Sequence, residues 1–302
     1  MQFAVNYSRA ADELLRKGKI RVDRIKCPAW RDLVATVRHA HPVYVHFPLL
    51  VGTGVGDAID AETNSPADWN KVEALLVQTD TPFVNLHLAP TTKDYPNVPS
   101  KTTDPAQTEI IFANLLRDVH AVTRRFGAAR VIIENIAPDG GATMLPALMP
   151  QNITRIVNEM GCGFLLDLAH ARLVAKYLGV DEREYVRALP VEKIREVHIT
   201  GVQRLAGRFV ELLHQTNLEY NFFESLIGQE IDHLPMTDPD WSFAEWALEQ
   251  IRAGAWRQPG IIAFEYGGVS GAWEALTERA VLEKDVPRLG EMVSSYGLQV
   301  QG

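Results

Sequence analysis

The sequence contains few of the features that mark disulfide-rich, metallothiol or membrane proteins. Its 302 residues include only two cysteines, Cys27 and Cys162, and neither belongs to a CxxC pair. A disulfide framework and a thiolate zinc site are therefore both disfavoured. No apolar run approaches the roughly 18 residues of a membrane-spanning helix. The N-terminal stretch is not typical of a signal peptide, because its short apolar part precedes the basic residues. We expect a cytoplasmic protein without membrane association.

The chain also lacks an excess of positive charge. Thirty lysines and arginines stand against 38 acidic residues, which gives a formal net charge of −8. A net acidic protein is not attracted to phosphate backbones, so no nucleic-acid partner is expected. The composition, with 46% apolar and 23% charged residues, is typical of a globular domain. The sequence carries no signal for an oligomeric state.

The order of the predicted elements indicates an α/β fold with one domain spanning residues 1–302. No repeat, low-complexity tract or proline-rich linker divides the chain. Short apolar runs alternate with segments of helical period, and eight of these runs begin at Phe3, Arg24, Val43, Phe83, Val131, Phe164, Glu196 and Ile261. Eight βα repeats in one series favour a (β/α)8 TIM barrel over a doubly wound sheet.

One segment before the last strand, residues 202–230, interrupts this rhythm. It is long for a βα connection and carries several aromatic residues. It is either an extra helical hairpin packed on the barrel or a lid or docking surface for a partner.

Acidic residues and histidines fall at or near the C-terminal ends of the predicted strands. In TIM-barrel enzymes these ends meet at the active-site face. Burying so many ionisable groups without partners would cost several kcal/mol each, whereas divalent ions turn imidazoles and carboxylates into ligands. The predicted metal ligands are His46, His87, Glu134, Asp167, His170, His198, His233 and Glu265. This set exceeds the three or four ligands of one ion, so two or three ions are expected.

Several strings resemble those of the multinuclear non-heme iron-dependent oxidases, a formerly uncharacterised family that includes enzymes of methanobactin and thiaglutamate biosynthesis. They are GCGFLLDLAHAR, REVHITG, DHLPMTDPDW, IIAFEYGG and VIIENI, with the two earlier strand-end histidines. The similarity extends from about Val43 to Gly268. The family usually has Asp-x-Asn-Asn where this chain has Asp167-Leu-Ala-His170.

This resemblance implies a xylose-isomerase-like TIM barrel with two or three irons. It also implies oxygen-dependent oxidation of a cysteine in a ribosomally made peptide, presented by a small partner protein. The family's ligands match His46, His87, Glu134, Asp167, His198, His233 and Glu265. Asp232 and Asp238 occupy acidic positions near that site, and Arg172 is a further candidate for substrate contact.

A second interpretation stays open. The order of histidines and acids is also similar to endonuclease IV and its xylose-isomerase-like relatives, which are zinc- or manganese-dependent hydrolases and isomerases. An acidic chain fits poorly with DNA binding, but a sugar isomerase or epimerase needs only a metal and a carboxylate pair. A catalytically silent binding protein on the same barrel is the third possibility.

Overall fold

The strands of the computed structural model, which describes residues 1–215 and 221–295, occupy the predicted positions. They are β1 (Gln2–Asn6), β2 (Arg24–Pro28), β3 (Val43–His46), β4 (Leu49–Val51), β5 (Ile59–Asp60), β6 (Ser65–Pro66), β7 (Val84–Leu88), β8 (Val131–Glu134), β9 (Gly163–Asp167), β10 (Ile194–Ile199), β11 (Gly201–Arg204), β12 (Glu230–Leu234) and β13 (Ile261–Phe264). All eight predicted strands are present.

The helices fill the intervals between these strands. They are α1 (Arg9–Arg16), α2 (Arg31–Val37), α3 (Trp69–Gln78), α4 (Pro105–Phe126), α5 (Leu145–Leu148), α6 (Pro150–Met160), α7 (Leu168–Leu178), α8 (Glu182–Arg187), α9 (Arg208–His214), α10 (Asn221–Leu226), α11 (Asp238–Arg252), α12 (Gly271–Leu276) and α13 (Arg279–Ser295). In the described part of the chain, none of them is long and apolar enough to cross a bilayer.

The main sheet has the topology of a TIM barrel. Its strand order is β3-β2-β1-β13-β10-β9-β8-β7-β4, and all these neighbours pair in parallel, with β5 and β6 added antiparallel beyond β4. The two ends of this order are joined by one continuous stretch, residues 43–51. Its first half pairs with β2 and its second half with β7. Eight parallel positions therefore surround one axis, as the sequence predicts.

The third barrel position is divided into β3 and β4 because the chain turns at Phe47 and Pro48. Proline has no backbone N–H for a ladder hydrogen bond. The side chain of Asn85 takes the place of the missing strand contact: its Oδ1 accepts from the Phe47 N–H at 2.7 Å and its Nδ2 donates to the Phe47 carbonyl at 2.9 Å. Sequence patterning did not predict this interruption.

The segment at residues 202–230, which the sequence singles out, lies within an antiparallel hairpin formed by β11 and β12. Between the two strands lie α9 and α10, while residues 216–220 fall outside the described part. An apolar cluster of its own forms under the hairpin, separate from the barrel core, and includes Leu205, Phe209, Leu213, Phe223, Ile231, Leu234 and Leu276.

Candidate metal centre

Strand register brings the polar strand ends together. His87 on β7 is the direct neighbour of Glu134 on β8, and Asp167 on β9 is the neighbour of His198 on β10. Because parallel strands in a barrel present their C-terminal ends at one face, residues far apart in the sequence meet there.

Two histidines and one oxygen of Glu134 form a compact triad. His87 Nε2 lies 3.1 Å and His46 Nε2 lies 3.4 Å from Glu134 Oε2, and the two Nε2 atoms are 3.3 Å apart. Ligand atoms bound at about 2.0–2.1 Å to one ion are separated by about 3.0 Å in octahedral and about 3.4 Å in tetrahedral geometry. The triad therefore has the spacing of ligands around a single ion.

The other oxygen of Glu134 faces a second group of ligands. His198 Nδ1 lies 3.8 Å from Glu134 Oε1, 3.7 Å from Asp167 Oδ2 and 2.8 Å from Glu265 Oε2. The ligand atoms of Glu134, Asp167 and His198 all lie within 4.8 Å of one another. Glu134 thus belongs to two candidate ion positions, one at each of its oxygens.

Unpartnered buried atoms support the fit of metal ions to both groups. Glu134 Oε2, Asp167 Oδ2 and His198 Nδ1 are buried and make no hydrogen bond with acceptable angles, although His87 Nε2 lies near the first and Glu265 Oε2 near the third. Buried polar atoms are rarely left in this state, since each costs about 1–3 kcal/mol. Metal coordination would satisfy all three atoms at once.

The hydrogen bond made by one ring nitrogen of His87 and of His198 fixes which nitrogen of each histidine faces Glu134. His87 Nδ1 donates to the Leu49 carbonyl at 3.1 Å, which directs Nε2 toward Glu134. His198 Nε2 donates to Glu196 Oε1 at 2.9 Å, and the Tyr44 hydroxyl donates to the same oxygen at 2.9 Å. Such carboxylate–histidine contacts orient metal ligands and raise their basicity.

The hairpin of β11 and β12 brings Asp232 and His233 to the rim of the cluster. His170 Nε2 lies 2.8 Å from Asp232 Oδ2, and His170 Nδ1 donates to the Asn135 carbonyl at 2.8 Å. His233 has a backbone φ of 57° and its Nδ1 is buried without a hydrogen bond. Left-handed backbone at a non-glycine residue is strained and clusters at functional sites.

Glycine at position 201 is needed for the hairpin to approach. A Cβ atom there would lie 2.2 Å from the Pro235 carbonyl oxygen, so only glycine lets β11 pass this close to the end of β12.

Three site residues were missed by the sequence reasoning: Lys26, Tyr44 and Glu196. Lys26 on β2 forms a buried ion pair with Glu265 Oε1. Its signal in the sequence is a lysine within the apolar run RIKC. Glu196 lies two residues before His198, and strand alternation places both on the same face. The side chains of Glu134, Asp167, Glu196, Asp232 and Glu265 give the cluster five carboxylates.

The buried acids raise the pKa of two of the histidines. Burial by itself lowers the pKa of His198, but Glu265 opposes it and raises this pKa well above the ordinary value. Burial also lowers the pKa of His170, but Asp167 and Asp232 outweigh burial and raise this pKa well above its usual range. Burial prevails at His46, whose pKa lies well below the ordinary value.

The carboxylates respond to the same neighbours. Burial raises the pKa of Glu134, but His87 and His46 outweigh it and the net shift is downward. For Glu265, burial is likewise overcome by His198 and Lys26, which hold its pKa well below the ordinary value. Burial raises the pKa of Asp167. Nearby positive charge therefore stabilises the ionised forms of Glu134 and Glu265.

A pocket of about 680 Å³ opens above the candidate ligands. Six of the eight predicted ligands line it, while Asp167 and His198 lie beneath them. Its upper wall is largely apolar and includes Trp30, Leu50, Ile136 and Trp273. The ring of Trp273 lies 5.0 Å from that of His233 and 5.0 Å from that of Phe223.

Two of the predicted site residues lie away from this pocket. Asp238 is exposed at the start of α11. Arg172 on α7 pairs with Glu182 at 2.7 Å and with the buried Asp240. Asp240 lies on α11 and also accepts from the Thr237 N–H at the start of that helix. Arg172 therefore connects α7 to α8 and α11.

Comparison with known proteins gives distant relatives and a shared fold. A UPF0276 protein of Rhizorhabdus wittichii is 25% identical over 57% of this chain and 58% of its own length. A UPF0276 protein of Caulobacter vibrioides is 29% identical over 55% of this chain and 56% of its own length. The chain thus matches little more than half the length of these relatives.

A solved structure, a xylose isomerase domain containing protein from Salmonella typhimurium LT2, aligns with a TM-score of 0.53 and 16% identity. The alignment covers 98% of this chain and 97% of that one. It supports the xylose-isomerase-like TIM-barrel fold that the sequence predicts.

A family model matches residues 26–226, about two thirds of the chain, and its description is "RiPP precursor modification enzyme MbnB/TglH/ChrH". RiPPs are ribosomally synthesised and post-translationally modified peptides. The match includes His46, His87, Glu134, Asp167 and His198. The chain belongs to the MbnB/TglH/ChrH family of RiPP precursor modification enzymes.

Proposed function

We propose that this chain is an iron-containing oxidase that uses dioxygen to oxidise a cysteine of a ribosomally made peptide. The observation that carries the proposal is the position of Glu134, whose two oxygens face two separate groups of ligands. A shared carboxylate of this kind is what a two-metal site requires. Family membership supports a peptide as the substrate.

The donor atoms suit iron. The cluster offers imidazole nitrogens and carboxylate oxygens, a combination used by non-heme iron oxygenases. Neither cysteine supplies a thiolate, because burial raises the pKa of both Cys27 and Cys162 to about 12. The set also accommodates zinc and manganese, the metals of the alternative hydrolase or isomerase function, so metal identity must be measured.

The two ion positions differ in their access to the pocket. His46 and His87 are 16% and 18% exposed, so an ion held by them and Glu134 would keep open positions facing the pocket. Asp167 and His198, which lie beneath them, and Glu265 would hold the second ion. When bound, iron supplies the electron transfer between the cysteine, which is oxidised, and dioxygen, which is reduced.

The side chains of the protein would position the substrate. The apolar side chains of Trp30, Leu50 and Trp273 would contact the peptide and exclude water. His170 and Asp232, 2.8 Å apart, also line the pocket and would contact the peptide. The pocket has room for only a few side chains, so we propose that a small partner protein holds the rest of the peptide.

Metal analysis of protein purified without oxygen tests this proposal. We expect at least two equivalents of iron per chain and an absorption band that changes on exposure to air. Glu134→Ala should lose the iron while circular dichroism shows an intact fold. A colourless protein that retains zinc or manganese under iron-replete expression would contradict the oxidase and favour the hydrolase or isomerase.

A further inference from the structure

A lysine lies beside the acidic residues and histidines that line the pocket. Lys26 lies on β2, and its ammonium group contacts Glu265 Oε1 on β13, 239 residues further along the chain. The lysine side chain is only 4% exposed and that of Glu265 only 7%. An ammonium buried this deeply is retained only when a carboxylate neutralises it.

The contact divides the two oxygens of Glu265 between different partners. Oε2 lies 2.8 Å from His198 Nδ1 and faces the second ion position. Oε1 is taken by Lys26. Glu265 therefore offers one oxygen to metal ions, although a free carboxylate would offer both and could bridge two ions.

The charges of the cluster balance only for a particular number of ions. Five buried or half-buried carboxylates surround the site, namely those of Glu134, Asp167, Glu196, Asp232 and Glu265. With the ammonium of Lys26 they leave four negative charges when the histidines are neutral ligands. Two divalent ions cancel this charge, whereas one leaves an excess of acid and three leave an excess of cation in a buried site.

Two further side chains of the kind that bind cations line the same pocket. Asp232 and His233 line the pocket together with Lys26 and Glu265, and His233 Nδ1 has no hydrogen-bond partner. Glu265 Oε1 would complete the ligands of a third ion, but Lys26 already contacts this oxygen.

We propose that Lys26 is a positioning residue that stands in for a third metal ion at Glu265 Oε1 and thereby limits the centre to two divalent ions. This inference rests on the proposed metal centre. The ammonium is part of the chain, so its positive charge, unlike that of a bound ion, is not lost by exchange with metal ions in solution.

Counting bound cobalt tests the role of Lys26 without any activity measurement. Metal-free protein is titrated with Co²⁺ and then dialysed, and the retained metal is measured together with the visible absorption. The wild-type chain should retain two equivalents and Lys26→Met should retain three. Lys71→Met is the matched control, because Lys71 pairs with Asp60 at 3.7 Å away from the pocket, and should retain two.

A second variant guards against loss of folding. Lys26→Gln keeps a hydrogen-bond donor for Glu265 but no charge, and it should also retain three equivalents. If both variants fold and retain two ions, as the wild type does, the role of Lys26 is overturned. If the wild type itself retains no cobalt, the metal centre of the proposed function fails, whatever the variants do.

Discussion

Glu134 connects the two halves of the candidate centre. Its side chain is 2% exposed, and each of its oxygens lies within 4 Å of histidine nitrogens that belong to different groups. Every other ligand contributes to one group only, so this carboxylate should contribute most to metal retention.

Replacing Glu134 by glutamine should lower retained metal from two equivalents to one or fewer. The amide oxygen is a weaker ligand, and the Nε2 group cannot coordinate an ion. Elemental analysis after dialysis measures the effect. The control is Glu73→Gln, an exposed partner of Arg125, which should retain both ions. Two full equivalents in Glu134→Gln would show that the carboxylate is not shared.

Tyr44 would affect metal binding indirectly, through Glu196 and His198. Its hydroxyl donates to Glu196, which holds His198 in the orientation that directs Nδ1 at the cluster. Loss of such an outer hydrogen bond typically costs 10- to 100-fold in metal affinity. We expect Tyr44→Phe to weaken binding of the second ion about tenfold, as measured by competition with a chelator. Tyr185→Phe, which removes a buried hydrogen bond to Leu148, should leave the affinity unchanged.

Metal binding should release protons. Burial lowers the pKa of His198, but Glu265 outweighs it and raises this pKa in the metal-free cluster, so the imidazole must lose a proton when it becomes a metal ligand. Apparent affinity should therefore rise with increasing pH and fall as the pH drops. Calorimetric titrations in two buffers of different ionisation enthalpy should indicate a net release of protons. Equal heats in both buffers would contradict this assignment.

Much of the centre can be read from the sequence because strand ends in a barrel converge. His46, His87, Glu134 and His198 follow apolar runs, and alternation alone predicts that they face one point. Lys26 is different, since its role depends on a partner 239 residues away that no local pattern reveals. Asp238, taken from the family resemblance, and Arg172, a candidate for substrate contact, lie on α11 and α7 and do not line the pocket.

Among the elements, the loop after β4 supports the position of His87. Asp118 on α4 is buried and accepts hydrogen bonds from the backbone N–H groups of Gly52 at 2.9 Å, Gly54 at 3.4 Å and Gly56 at 2.9 Å. The loop continues β4, whose Leu49 carbonyl accepts from His87 Nδ1. The carboxylate of Asp118 therefore anchors the glycine-rich loop through the backbone N–H groups of its glycines.

Removing this anchor should destabilise the fold. Asp118→Ala leaves three backbone N–H groups without their acceptor, and the expected cost is about 3 kcal/mol. Urea denaturation measures the free energy of unfolding through the shift of the midpoint. The exposed Asp80→Ala should change the free energy of unfolding by less than about 0.5 kcal/mol. An unchanged midpoint in Asp118→Ala would mean that water or other groups satisfy the loop.

The interruption between β3 and β4 is a feature that the hydrophobic pattern of the sequence does not predict. The sequence predicts a strand that begins at Val43, but it does not predict that Pro48 breaks the ladder or that Asn85 completes the contact from the next strand. The hairpin of β11 and β12 was expected only as a long connection, because its two strands are short and its apolar cluster is assembled from separate segments.

For the molecule as a whole, barrel closure is what makes the centre possible. The ligands extend from His46 to Glu265, and only a sheet whose ends meet between β2 and β7 brings them within a few ångströms. The cost of gathering five carboxylates is offset when divalent ions bind in the folded state alone. Fold and metal content are therefore coupled in this account.

Anomalous diffraction at the iron absorption edge, from crystals grown without oxygen, would show whether two irons share Glu134. We expect two iron peaks about 3.5–4 Å apart, one at each oxygen of Glu134. A single peak, peaks remote from Glu134, or no anomalous signal in iron-loaded crystals would contradict this expectation.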